Sequence, residues 1–160
     1  MDDMLGRRSV SAAIREKLDH PVIDADGHII ESRFALPDFL KQVGGASLVN
    51  RFEKEMAEPR GNSPKQNFWP AHSAKRTLDR VTCMLQKFYA QRLQEAGVDF
   101  ATLYPTFGFR VFRTSDPELR RGLARALNMM YADMFRDVRH YMTPAAVIPM
   151  HTPSEAHDRA

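Results

Sequence analysis

The chain has 160 residues, 43% of them hydrophobic and 27% charged, a composition that excludes a disordered, fibrous or collagen-like protein. Its formal charge is +3, but the 23 Lys and Arg residues are spread along the sequence without a block of five or six like charges, so no nucleic-acid partner is expected. The lone Cys83 excludes an internal disulfide and a multi-cysteine zinc site. No run approaches the roughly 18 to 20 apolar residues of a membrane span, and Met1 to Arg8 holds no apolar stretch of signal-peptide length, so a cytoplasmic protein with no membrane partner is expected.

Ser9 or Ser11 is placed to cap a short helix running to Leu18, and Pro21 separates that helix from an apolar, β-branched run. Residues 1–20 therefore read as an extension ahead of a main domain at 21–160. The first predicted strand is Val22 to Ala25, and it leads straight into Asp26-Gly27-His28. Strand side chains alternate between faces, so Asp26 and His28 project to one side, with Gly27 leaving room between them. A carboxylate and an imidazole so arranged are a candidate pair of divalent-metal ligands; a turn-capping aspartate beside a hydrogen-bonded histidine is the plainer alternative. Glu31, at the strand's exit, is a candidate for orienting His28 or facing substrate, and equally a solvated loop carboxylate.

From Phe34 onward the apolar residues Phe34, Leu36, Phe39, Leu40 and Val43 recur at helical spacing until Gly44-Gly45 breaks the pattern. Glu58 to Ala71 is crowded with Pro59, Gly61, Pro64 and Pro70, which makes a long loop, either a substrate-side lid or a surface excursion. Trp69 and His72 in and beside it are candidate pocket residues. A long amphipathic helix is predicted over Ala74 to Ala96, closed by Gly97 just past its C-terminus. Val98 to Tyr104 reads as a strand ended by Pro105, followed by a loop in which Thr106, Phe107 and Phe109 are placed to line a pocket or to join the core.

Ser115 or Asp116 caps the next helix, with Pro117 and Glu118 in its first turn and Leu119, Leu123, Leu127, Met130, Met134 and Phe135 as its buried stripe. Asn128 within it reads as a specific structural hydrogen bonder. Pro144 to Pro149 is the third predicted strand, and Thr152 or Ser154 with Glu155 opens another helix. Strands joined by long helical crossovers pair in parallel, so the fold class is α/β. Three parallel strands leave exposed edges with unpaired backbone groups, so the chain is expected to continue or to complete itself with a partner.

Val22-Ile23-Asp24-Ala25-Asp26-Gly27-His28 with Glu31, then Glu95-Ala96-Gly97-Val98-Asp99-Phe100-Ala101-Thr102-Leu103-Tyr104-Pro105-Thr106, resembles the amidohydrolase-related family that includes aminocarboxymuconate-semialdehyde decarboxylase. Asp116-Pro117-Glu118-Leu119 with Arg125-Ala126-Leu127-Asn128, and Ala146-Val147-Ile148-Pro149 with Pro153, resemble two later blocks of that family in the same order. The resemblance implies a partial (β/α)8 TIM-type barrel of about three parallel strands with crossover helices, its chemistry at the C-terminal ends of the strands. It also implies a divalent metal, zinc first, held in part by Asp26 and His28, and a small carboxylate or carbonyl substrate that is hydrolysed or decarboxylated without oxidation. The family's other ligands and its acid or base come from later strands, which would lie beyond Ala160. The chain by itself is therefore expected to be an incomplete and inactive N-terminal portion. The alternative is a half-barrel or a non-catalytic interaction module that assembles with itself, as a homo-oligomer, or with a second chain.

Overall fold

The computed structural model describes residues 9–57, 78 and 80–157. Helix α1 (Val10–Arg15) precedes strand β1 (Ile23–Ile29), helix α2 (Leu36–Ala57), helix α3 (Gln86–Ala96), strand β2 (Phe100–Pro105) and a 3-10 helix at Phe107–Arg113. Helix α4 (Pro117–Met134), strand β3 (Met142–Pro144) and a short α5 (Pro153–His157) follow. The three strands form one parallel sheet in the order β1-β2-β3. The α/β class and the parallel pairing agree with the reading of the sequence, and among the described residues no helix is long and apolar enough to cross a membrane.

Alternation sorts the sheet into two unlike faces. Ala101 and Leu103 on β2, with Met142 paired to Ala101, point into the helical layer and are fully buried. Phe100, Thr102 and Tyr104 point the other way, beside their partners Ile23, Thr143 and His28, and this face carries Ile23 60% exposed and Tyr104 39% exposed. On the covered face Leu119, Leu123, Leu127 and Met130 of α4 are all fully buried, as the stripe in the sequence predicts. Each such leucine contributes roughly 1.5–3 kcal/mol by leaving water. Asp116 caps α4, its Oδ1 accepting from the Glu118 N–H at 2.9 Å and the Leu119 N–H at 3.2 Å. Helix α2 lies on α4 through Leu48, which seats against Gly122: a Cβ at 122 would stand 2.4 Å from Leu48 Cδ2.

Several boundaries differ from the predicted ones, each for a local reason. Helix α1 ends at Arg15 instead of Leu18, with Ser9 as its cap. Strand β1 runs on to Ile29 because β2 supplies partners as far as Pro105. Gly44-Gly45 does break the helical geometry, with Gly45 at φ 66°, but the chain re-enters a helix and continues to Ala57. The single helix expected over Ala74 to Ala96 is interrupted at 83–85, where Leu85 is extended (φ −116°, ψ 105°) and the Cys83 carbonyl turns to accept the Ile30 N–H at 2.9 Å. Phe107 to Arg113 is a 3-10 helix rather than a loop.

The third strand lies at Met142–Pro144 and not at Pro144 to Pro149. Beyond it, the Asn128 side chain takes the role of a neighbouring strand. Its Nδ2 donates to the Val147 carbonyl at 3.0 Å, and its Oδ1 accepts the Val147 N–H at 2.8 Å. Helix α5 is pinned to α4 by a buried pair in which Arg120 Nε donates to Glu155 Oε2 at 3.1 Å and Nη2 to Oε1 at 2.7 Å. Arg120 Nη1 also donates to the Thr114 carbonyl at 2.8 Å, so the buried guanidinium is well satisfied.

The expected row of unpaired edge groups is largely absent along β1. The Asp26 N–H donates to Asp24 Oδ1 at 2.9 Å, the His28 N–H is directed at the Tyr89 hydroxyl, and the Ile30 N–H meets Cys83. On the other edge, Ala145 donates to Leu103 and Tyr141 accepts from Ala101, so alternation turns Pro144 outward, where it has no N–H to offer. Among the described residues these outward N–H groups of β1 are thus engaged within the chain, and β3 offers none at Pro144.

Candidate metal-binding pair on the bare face of the sheet

The candidate ligands sit at a local irregularity in β1. Asp24 pairs with Ala101 and Gly27 with Leu103, so Ala25 and Asp26 together stand opposite Thr102 alone, as in a β-bulge. From Gly27 onward the register is regular and His28 faces Tyr104. Alternation through Gly27 then brings Asp26 and His28 to the bare face. Asp26 is exposed, and among the described residues no hydrogen bond or ion pair engages its carboxylate; only its backbone N–H is bonded, to Asp24. His28 is half-buried, its ring 6.2 Å from that of Tyr104 with the planes tilted by 50°.

Gly27 has a different use from the one its position between two ligands suggests. A Cβ there would lie 2.5 Å from Leu103 Cδ2, 3.2 Å from the Thr102 carbonyl oxygen and 3.3 Å from the Tyr89 hydroxyl, so the missing side chain admits the helical layer on the opposite face. That close packing places the Tyr89 hydroxyl against the strand, and burial first, with the nearby Cys83 and Asp24, pushes its pKa up to about 12. Tyr89 is therefore a neutral hydroxyl at any ordinary pH, able to accept the His28 N–H and contributing no charge to the site.

Glu31 is buried, and its carboxylate is fully occupied. Oε2 accepts the Phe107 N–H at 2.7 Å; Oε1 accepts the Gly108 N–H at 2.9 Å and the Tyr131 hydroxyl at 2.7 Å. Among the described residues none of its hydrogen bonds runs to His28. It ties the exit of β1 to the first turn of the 3-10 helix after β2 and to α4. Burial, followed by the charge of Glu31, raises the Tyr131 pKa well above the ordinary phenol value, so the hydroxyl remains the donor. The sequence signal for this role is a tyrosine in the apolar stripe of α4, whose hydroxyl calls for a partner.

Thr106 donates its N–H to the Ile29 carbonyl at 3.2 Å, and its buried hydroxyl has no hydrogen-bond partner among the described residues. Phe107 packs edge-on against Phe52 of α2, with ring centroids 6.3 Å apart and planes at 80°, and so belongs to the core margin rather than an open pocket. Trp69 and His72 lie outside the described residues. Two surface grooves, of about 450 Å³ beside Phe88 and Met134 and about 540 Å³ beside Tyr131 and Met142, are lined by neither Asp26 nor His28.

The donor set of the pair, one uncommitted carboxylate oxygen and one imidazole nitrogen, suits zinc and other divalent first-row metals. Among the described residues no group of three or more His, Cys, Asp or Glu side chains converges. No protein-family model and no curated protein sequence matches the chain.

Proposed function

We propose that this chain forms the first βαβαβ portion of a metal-dependent amidohydrolase-type barrel, a hydrolase or nonoxidative decarboxylase of small carboxylate or carbonyl substrates, with Asp26 and His28 as ligands from its first strand. The observation that carries the reading is the combination of a parallel β1-β2-β3 sheet, one face of which buries Ala101, Leu103 and Met142 under the helices, with an Asp-x-His pair that alternation puts on the other. In a closed barrel that other face turns inward, and the side chains near the strands' C-terminal ends surround the reaction centre. The sequence blocks around Asp26, Asp99, Asp116 and Val147 support it independently.

A bound divalent cation would supply Lewis acidity and a hydroxide available at neutral pH. The chain's own part is positional. Asp26 presents an exposed carboxyl group that no hydrogen bond or ion pair engages among the described residues. His28 presents its ring from a regular stretch of strand, confined on one side by Tyr104. Glu31 acts at a distance, holding the turn at Phe107 and Gly108 to the end of β1. Two donors are half a tetrahedral sphere, so either reaction requires donors in addition to these.

Zinc titration into isotopically labelled protein, followed by NMR, tests the assignment. The His28 ring resonances and the Asp26 carboxyl carbon are expected to shift first and together. Zinc-induced shifts that map elsewhere and leave both unmoved would overturn it.

A further inference from the structure

We infer that Tyr104 is a substrate-binding residue of this site: its hydroxyl donates a hydrogen bond to one oxygen of a substrate carboxylate whose other oxygen lies on the cation held by Asp26 and His28. The inference rests on the ligand reading above and deepens it, with a carboxylate as the group bound and Tyr104 as its second anchor. Register, backbone and hydrogen bonding lead to it.

His28 pairs directly with Tyr104, and alternation puts both side chains on one face, so the two rings stand side by side with centroids 6.2 Å apart. Asp26 stands level with Thr102, one rung nearer the strands' N-terminal ends, and Thr143 pairs with Thr102. Tyr104 is thus the last polar side chain of β2 before the C-terminal end of the sheet, the end at which a barrel carries its chemistry. The backbone holds it there. Pro105 follows and keeps Tyr104 extended, and the pairing with β1 continues past it, from Pro105 to Ile29. With only two side-chain torsions to fix, a tyrosine presents its hydroxyl at little cost in conformational freedom.

That hydroxyl differs from those of the tyrosines that serve the fold. Tyr131 donates to Glu31 at 2.7 Å, and Tyr89 receives the His28 N–H. Among the described residues no hydrogen bond engages the Tyr104 hydroxyl, and the residue is 39% exposed beside a ring that it does not bond. It is a placed donor with no structural duty. A carboxylate suits a cation and a phenol standing together. One oxygen takes a place on the Lewis acid, and the other accepts the O–H in a charge-assisted bond of about 2.5–2.7 Å. A lone carbonyl oxygen would have to serve both.

Carbon-13 NMR of the whole chain labelled at tyrosine Cζ, with benzoate as the probe, tests this in zinc and in EDTA. The sequence has four tyrosines, and the Tyr104 signal is the one missing from Tyr104→Phe. Benzoate is expected to move that signal in zinc and not in EDTA. Tyr104→Phe should bind benzoate at least about tenfold more weakly while its zinc affinity stays within about twofold, with folding checked by circular dichroism. Benzoate that fails to bind the zinc-loaded chain, binds Tyr104→Phe equally well, or moves the Tyr104 signal as far in EDTA as in zinc would overturn the role of Tyr104 and leave the ligand pair standing. A zinc affinity that falls about tenfold in Tyr104→Phe would overturn it too, making the side chain a support for His28 instead. No zinc bound, or zinc bound without a shift of the His28 ring, would overturn the ligand reading and this inference with it.

Discussion

The junction of Glu31 with Phe107, Gly108 and Tyr131 makes the strongest quantitative claim about what holds the strand exits together. Tyr131→Phe keeps the ring and removes one hydrogen bond to a buried carboxylate, at 2.7 Å, which costs about 1.5–3 kcal/mol for a charge-assisted bond. Glu31→Ala removes the acceptor and strands three donors, two of them backbone N–H groups, at about 1–3 kcal/mol each. Water entering the vacated space recovers part of that, so a net loss of about 3–5 kcal/mol is expected. Against a total stability of about 5–15 kcal/mol this is a large fraction, and at about 2–4 °C per kcal/mol it lowers Tm by about 6–20 °C. The double variant should lose about 1.5–2 kcal/mol less than the sum of the single losses, because a phenyl ring in place of Tyr131 has no hydroxyl to strand once the carboxylate is gone. Urea unfolding of the four proteins measures this. Additivity within about 0.5 kcal/mol would refute the hydrogen-bonded junction.

Two further outcomes follow from the charge pairs and from the helix packing. Arg120 beside Glu155, Arg15 beside Asp99 and Arg51 beside Asp116 hold these carboxyls below their ordinary values of 4.5, 3.8 and 3.8, so their stabilisation is complete above about pH 4.5 and is lost as the pH falls below the unfolded values and through the folded ones. Urea midpoints measured from pH 6 to pH 3 should decline in that window, and Glu155→Gln should decline less steeply; an unchanged slope would remove Glu155 from the account. Gly122→Ala sets a helix-propensity gain of about 1 kcal/mol against a Cβ only 2.4 Å from Leu48, an overpacking cost of about 1–3 kcal/mol, so a net loss of up to about 2 kcal/mol is expected. Leu48→Ala should lessen the penalty of Gly122→Ala, and a stabilised Gly122→Ala would mean that α2 does not bear on α4 there.

The parts of this fold legible in the sequence are those governed by local rules. Asp116-Pro117-Glu118 announces the start of α4, and the stripe from Leu119 to Met130 gives its buried face, because capping and amphipathicity act within a few residues. Gly97 ends α3 at φ 74° for the same kind of reason. Where the outcome depends on a distant partner, the sequence misleads. Ala146-Val147-Ile148 is apolar enough for a strand, but pairing with β2 is taken by Met142 to Pro144, and Asn128, 19 residues earlier, claims Val147. Glu31 looks like a loop carboxylate until Tyr131, 100 residues on, is brought to it. Of the candidate site, the shared face of Asp26 and His28 follows from strand alternation; the bulge beside them and the bare surface around Tyr104 do not.

The interruption of the helix before α3 connects these distant choices to the candidate ligands. Apolar periodicity carries through Val81, Leu85, Phe88 and Tyr89 without a break, so nothing local signals that Leu85 is extended. Yet an unbroken helix would commit the Cys83 carbonyl to an N–H four residues later, and the Ile30 N–H would lose its acceptor. Breaking the helix there frees that carbonyl and starts α3 anew at Gln86, with Tyr89 in its first turn placed over Gly27. The strand that carries Asp26 and His28 is thus held along its outer edge by a carbonyl and a hydroxyl from one helical segment, and along its inner edge by β2. Alternation then turns Ile29 into the core and leaves the Asp26 and His28 side chains to the opposite face.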